Sequence, residues 1–422
     1  MGVGSNRGAG SGAGGRSRIA KRLGLALLLA FLAAACAVAA YLLWRTTVPD
    51  GLDLPKVDPH AVFRPKDLSR AIHYDRFLRW DFLATQVVLV LGLAAYAAYG
   101  ARFVRESAAG RIGTGMLLAM LGLGLLWFVE LPFGLAELWW QRRYGVSHTS
   151  YGEWVIDNWL ALAPGFLFIS FAILIVMGLA GPLRDWWWIP GGFVFVGLAL
   201  LFTFLFPYLL PGQRPLRDAA LVAQAKAYER QLGVGDIPVR VQDVGTETTM
   251  PNAEAVGLGP TRRVILWETI VRPPFTFDQQ RIVVAHELGH HARKHLWKGI
   301  AWYALFAFPG AFIIARVTRR RGGMREPEAV PLSLLVLTVL SFLALPVENI
   351  ITRHIESEAD WVALQLTSDP GSAEAAFKNF TVAALADPNP PLWDYVLIEN
   401  HPTVVQRIGM AEAWRARHNA GG

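Results

Sequence analysis

Long apolar runs separated by short polar connections organise this chain. Seven stretches, at about 23–44, 82–100, 113–138, 159–182, 187–210, 297–316 and 329–350, are apolar over roughly the 20 residues a helix needs to cross a bilayer. Pro132, Pro164, Pro190 and Pro309 fall inside them, which membrane helices tolerate better than soluble ones. Trp44, the Trp139 and Trp140 pair, and the Trp186 to Trp188 run sit at segment ends, as in an interfacial aromatic belt. The pattern predicts a mainly α-helical, polytopic membrane protein with about seven transmembrane helices, rather than a soluble protein with buried core helices.

Two regions are polar enough to face water, 211–296 and 351–422. In the first, Pro215 to Leu232 reads as an amphipathic helix, Val239 to Val244 and Arg263 to Ile270 as short strands, and Phe277 to His295 as a helix. The second reads as mostly helical, broken by a turn at Asp387 to Pro391. Neither is large enough to stand alone, and together they are expected to form one small α+β domain. The expected organisation is a basic tail (1–22), a membrane region of five helices (23–210), the first part of the water-facing domain (211–296), helices six and seven (297–350), and its second part (351–422).

Residues 1–15 are mostly Gly, Ser and Ala, which bury too little surface to order, so a flexible stub is expected. Arg16, Arg18, Lys21 and Arg22 then precede the first apolar run, a layout that also fits a cleaved signal peptide. The run continues to Trp44, longer than the usual ~7–15-residue apolar core of a signal peptide, so a retained anchor is favoured.

Composition agrees with the hydropathy pattern. The 422-residue chain is 53% hydrophobic, 12% aromatic and 17% charged, with a mean hydropathy of +0.34; soluble chains average roughly 25% charged residues. The net charge of +7 does not suggest nucleic acid, because Lys and Arg sit between the apolar runs, where membrane proteins keep them. The single cysteine, Cys36, rules out a disulfide within the chain and a cysteine-based zinc site.

The chemistry lies in Val284-Ala285-His286-Glu287-Leu288-Gly289-His290. Two histidines four apart on a helix share one face, so both imidazoles can bind one zinc ion. Glu287 lies beside them, placed to take a proton from the water such a metal activates. A catalytic zinc site also needs a third protein ligand and an open position. The candidate stretch is Arg353-His354-Ile355-Glu356-Ser357-Glu358-Ala359-Asp360. Glu356 is preferred, because Asp360 one turn on can hydrogen-bond a ligand imidazole from behind. Glu358 has no acid four residues later and remains the rival, with His291 and His354 further alternatives.

The motif order resembles the membrane zinc metallopeptidases typified by the type I CAAX prenyl endopeptidase, with the heat-shock protease HtpX as a shorter relative. His-Glu-Leu-Gly-His follows the fifth apolar segment, and two further segments precede Arg-x-x-Glu-x-x-Ala-Asp-like residues 353–360. Leu131-Pro132-Phe133 through Tyr144-Gly145 to Asp157, Pro251 to Gly257 with Arg263 to Leu266, and His401-Pro402 with Arg407 are similar to family stretches in the same order, over roughly residues 80–415. The resemblance implies a ring of seven helices around an internal chamber, capped by a zincin-like (gluzincin) domain. It implies that Asn252 lies on an edge strand that pairs with substrate, and that His401 and Arg407 help stabilise an oxyanion. His295 fits the family pattern as a helix-end residue only. Ser357 replaces the usual aromatic residue, and residues 1–80 have no clear match.

The expectation is a zinc metalloendopeptidase with one Zn2+ per chain, acting on peptide or protein substrates at the bilayer, with Glu287 as general base. A site-2-type intramembrane protease is disfavoured because Arg281, Arg293 and Lys294 flank the motif. A transporter or scaffold with a structural zinc is the alternative. It is disfavoured because the spans are nearly free of charge, Glu130 and Glu137 apart, and because a structural site has no use for Glu287. The positive-inside rule and the resemblance point to opposite orientations, and the sequence sets neither the oligomeric state nor the natural substrate.

Overall fold

A computed structural model describes residues 12–100, 102 and 109–419. Residues 12–45 form one compact unit, the helix α1 (Gly12–Trp44). The tail expected over residues 1–22 lies partly outside the described residues, and from Gly12 the chain is helical. The described chain from Thr46 onward is the second unit.

That unit begins with a strap, residues 46–64, containing the single turn α2 (Pro59–Val62). Membrane-type helices follow: α3 (Pro65–Tyr99), α4 (Gly110–Tyr144), the short α5 (Tyr151–Leu160) leading into α6 (Leu162–Leu183), and α7 (Trp188–Leu209). Next come β1 (Gln213–Pro215), α8 (Ala219–Leu232), β2 (Val239–Gln242), β3 (Ala253–Val256), β4 (Arg263–Trp267) and α9 (Phe277–Ala292). The chain closes with α10 (His295–Thr318), α11 (Val330–Thr367), α12 (Pro370–Ala384), α13 (Leu392–Leu397) and α14 (Val404–Asn419).

Among the described residues, six helical stretches are long and apolar enough to cross a membrane, built on α3, α4, α5 with α6, α7, α10 and α11. They match the expected segments from 82–100 onward. Their apolar side chains point outward, with Leu167, Phe193 and Leu343 exposed by 75%, 68% and 65%, as required where lipid is the solvent. Where these helices meet, small residues let backbones approach. A Cβ on Gly115 would lie 2.2 Å from Met177 Sδ, and one on Gly122 would lie 2.5 Å from Leu334 Cδ1.

The small sheet has the order β1-β2-β4-β3, with β2 and β4 parallel and both outer pairings antiparallel. Its apolar face packs on α8 and α9 through Leu221, Tyr228, Val264, Leu266, Val284 and Leu288, all fully buried or nearly so. The helix expected from Pro215 begins instead at Ala219. Asp218 Oδ1 accepts from the amides of Ala220 and Leu221 at 2.9 and 3.0 Å, an N-cap that fixes the start, and Gln213 to Pro215 pair with β2. The helix expected to reach His295 ends at Ala292, because Lys294 adopts a left-handed φ of 58° and α10 starts anew.

Two features tie the water-facing domain to the membrane region. The 38-residue α11 runs without a break through the boundary expected at 350, so the end of an apolar span carries Glu356 and Asp360 directly. On α3, Arg79, with a side chain only 6% exposed, pairs with Asp75 at 2.8 Å, with Asp387 at 2.7 Å and with Asp394 of α13. The strap, unexplained by the sequence, lays Val48, Leu52, Leu54, Val57 and Val62 against the core formed by Trp361, Phe377, Ile408, Met410 and Trp414.

Candidate metal centre

Helix α9 is set at its start by a capping box between Thr276 and Gln279, and the helical period then brings His286 and His290 onto the face toward α11. Gly289 lets α11 come close: a Cβ there would sit 3.2 Å from Val362 Cγ1 and 3.6 Å from Ala359 Cα. Across this contact His286 Nε2 lies 3.1 Å from His290 Nε2 and 3.2 Å from Glu356 Oε2, while His290 Nε2 lies 3.6 Å from Glu356 Oε1. His286, Glu287, Glu356 and Asp360 are all buried.

Each donor atom faces the same point. His286 Nδ1 donates to Asp360 Oδ1 at 2.9 Å, which leaves its Nε2 directed at His290 and Glu356. Asp360 is in turn held by Arg407, whose Nε donates to Oδ2 at 2.8 Å and whose Nη2 donates to Oδ1 at 2.6 Å. Arg407 thus spends two donors on Asp360, a partner the sequence did not suggest. His401 Nε2 stands 3.4 Å from Glu356 Oε2 with its side chain half exposed, and its Nδ1 is 2.6 Å from Asn400 Oδ1.

The electrostatics mark a cation site. Burial opposes charge on His286, but Asp360 and Glu356 outweigh it and push its pKa up to about 10. Burial and the facing His286 drive His290 down to about 3. The facing carboxylates therefore favour positive charge where His286 and His290 meet Glu356. Glu356 Oε2 is buried without a hydrogen-bond partner. Two imidazole nitrogens and a carboxylate, held from behind, are a donor set that suits zinc. Burial, with Glu356 and Glu254 nearby, raises Glu287 to about 7.

The alternatives separate cleanly. His291 turns away and donates from Nε2 to Arg263 O at 3.2 Å. Glu358 faces another side of α11, where Arg293, His295 and Lys298 surround it. Among the described residues, His354 and Glu358 are not part of the close donor group, which comprises His286, His290 and Glu356. Asn252 directly precedes the edge strand β3, and its carbonyl accepts from Trp267 N at 2.9 Å; β3 packs against α9.

A cavity of about 490 Å³ opens in the membrane region, lined by Asp75, Asp81, Glu130, Glu137, Asp394 and Glu399 among others. Glu130 and Glu137, the charges noted within the spans, therefore line this cavity together with four further carboxylates. Burial and the neighbouring carboxylates push Asp394 up to about 6 and Glu399 to about 7, against the pull of Arg79. Glu399 lies two residues before His401. Its carbonyl accepts from Arg353 on α11, three residues before Glu356, so the cavity wall and the metal centre share a support. The sequence reading missed Arg79 and the partners of Glu358. The signal for Arg79, Arg293, His295 and Lys298 was an ionisable residue beside an apolar run; Thr47 carried none.

Fold and site together define a multi-pass membrane metallopeptidase. Residues 215–415 match the family described as Peptidase family M48. Along most of its length the chain is similar to membrane metallopeptidases of the CAAX prenyl protease type. It is 23% identical over 397 residues to an uncharacterized metalloprotease, YhfN, of Bacillus subtilis, covering 87% of this chain and 90% of the relative. It is 24% identical over 315 residues to a CAAX prenyl protease 1 homolog of Oryza sativa, covering 70% and 73%. The crystal structure of S. mikatae Ste24p superposes with a TM-score of 0.64 at 19% identity, over 90% of this chain and 97% of that one. The chain is a metal-dependent membrane endopeptidase.

Proposed function

We propose that this endopeptidase holds one zinc ion on His286, His290 and Glu356 and cleaves extended peptides at the membrane, with Glu287 as its general base. The observation that carries this reading is the convergence of two imidazole Nε2 atoms and one carboxylate within 3.1–3.6 Å of one another, beside a buried glutamate. When bound, zinc supplies Lewis acidity toward water and the scissile carbonyl.

The chain's own residues do the rest. Asp360, clamped by Arg407, keeps the proton on His286 Nδ1 and the Nε2 lone pair free. Glu287, in its ionised form, accepts a proton from the attacking water and delivers it to the leaving amine nitrogen. His401 Nε2, at the exposed edge of the site, donates to the oxyanion that develops on the carbonyl oxygen. Arg407 adds positive charge from behind while fixing Asp360. A substrate strand adds alongside β3 from Asn252 onward, which orients its backbone by main-chain hydrogen bonds.

The substrate class proposed is a membrane-associated peptide, as the cavity in the membrane region favours. The rice relative's name refers to prenylated CAAX substrates, and comparing a prenylated peptide with its unmodified counterpart tests whether that preference extends here. The central test is metal dependence. Purified protein should contain one zinc per chain, lose peptide hydrolysis on chelation and regain it with added zinc. Glu356→Ala should carry only trace metal. Hydrolysis that survives complete removal of the metal would overturn the reading.

A further inference from the structure

Glu358, the acid that competed with Glu356 as a ligand in the sequence, occupies an unusual place. Its side chain is 1% exposed, yet five donors converge on it. Oε1 accepts from Thr47 N at 2.9 Å, Thr47 Oγ1 at 3.1 Å and Arg293 Nε at 2.8 Å. Oε2 accepts from His295 Nε2 and Lys298 Nζ, both at 2.9 Å. The other ring nitrogen of His295, Nδ1, lies 3.0 Å from Nδ1 of His290. A continuous line therefore runs from the strap residue Thr47 through Glu358 and His295 to His290.

The direction of the protons follows from the acceptor at the far end. A carboxylate only accepts, so the His295 proton sits on Nε2, and a neutral ring with its proton there presents Nδ1 as an acceptor. His290 must then donate from Nδ1, which places its lone pair on Nε2, the atom facing His286 and Glu356. Asp360 imposes the same tautomer on His286 directly.

We propose that Glu358, acting through His295, fixes the ring orientation and tautomer of His290, so that Glu358 and His295 are positioning residues of the metal centre. The inference rests on the zinc reading above and extends it. It gives the strap a function, since Thr47 anchors the same carboxylate. It also explains why α10 restarts at His295. The left-handed Lys294 ends α9 and turns the chain, so that His295 lies back under His290, which an uninterrupted helix would not allow five residues on.

The test uses the full-length protein in detergent, with zinc and Co2+ as probes and metal binding rather than proteolysis as the readout. His295→Asn and His295→Leu are nearly the same size, but only Asn offers an oxygen that can accept from His290 Nδ1. His295→Leu should weaken zinc retention against a chelator by about 10–100-fold, the cost usual for losing a supporting partner of a ligand. It should also alter the Co2+ absorption spectrum. His295→Asn should recover most of that loss and restore the spectrum. Glu358→Gln, which keeps the shape but no longer dictates the His295 tautomer, should fall between them. If Leu and Asn weaken binding equally, packing alone accounts for His295 and the proposal fails; wild-type zinc retention by His295→Leu also overturns it. Failure of the wild-type protein to bind zinc at all would instead refute the zinc reading.

Discussion

Arg407 donates from Nε and Nη2 to the two carboxylate oxygens of Asp360, at 2.8 and 2.6 Å. This two-point grip sets the aspartate at the angle from which it receives His286 Nδ1. The geometry needs a planar fork, and a lysine ammonium does not reproduce it. Arg407→Lys is therefore expected to keep the charge but lower zinc affinity by about ten-fold or more, in the range seen when the support of a metal ligand is disturbed. Chelator competition on the purified variant measures it; unchanged affinity with a large loss of turnover would point to direct action on substrate.

Glu287→Gln leaves all three proposed ligands in place and removes the base. Full zinc content with turnover reduced by about 10² or more is expected, the scale on which general base catalysis contributes. Undiminished turnover at full metal content would sink the mechanism.

The same residue sets a pH dependence. Burial raises Glu287 to about 7, and a bound cation draws it back down. The base is the ionised form, so kcat/KM should rise with pH and level off above the Glu287 pKa, with its acid limb at or below about 7. Activity falls as pH drops through that value and the carboxylate takes up a proton. A profile that stays flat down to the pH at which the metal itself is lost would remove Glu287 from the role of base.

His401 stands 3.4 Å from Glu356 Oε2, half exposed. It is near enough to reach a substrate oxygen, and its other polar neighbour is the adjacent Asn400. His401→Ala should retain zinc and its melting temperature while losing about 10²–10³ in turnover, typical for one oxyanion donor. A lowered melting point with normal kinetics would make it a structural residue.

Arg79 balances Asp75, Asp387 and Asp394 with its side chain 6% exposed. Removing one partner of a buried ionic group is destabilising by about 3–5 kcal/mol, because the remaining charges are left uncompensated. Arg79→Met should therefore lower the melting temperature clearly, whereas metal affinity per folded molecule should hardly change. A thermal melt paired with zinc titration distinguishes this from damage to the metal centre.

The local parts of this protein are legible in its sequence because they depend on short periods. Apolar runs reveal the spans, since nothing but a helix satisfies its backbone in lipid. The spacing of His286 to His290, and of Glu356 to Asp360, reveals shared helical faces, since residues four apart point the same way. The limits of this reading are equally physical. Periodicity put the second span at 82 and ran the helix from Phe277 through His295, yet α3 extends back to Pro65 and the chain turns at Lys294. Glu358 looked like a second candidate ligand until the fold brought Thr47, 311 residues away, and His295 around it. Arg407 was expected at an oxyanion, and its grip on Asp360 across 47 residues was not foreseen. Arg79 meets Asp387 across 308. Spacing along one helix carries no information about which carboxylate a distant cation will reach. That is decided only when the strap, α11 and α14 pack together, and burial then makes each unpaired charge too costly to leave.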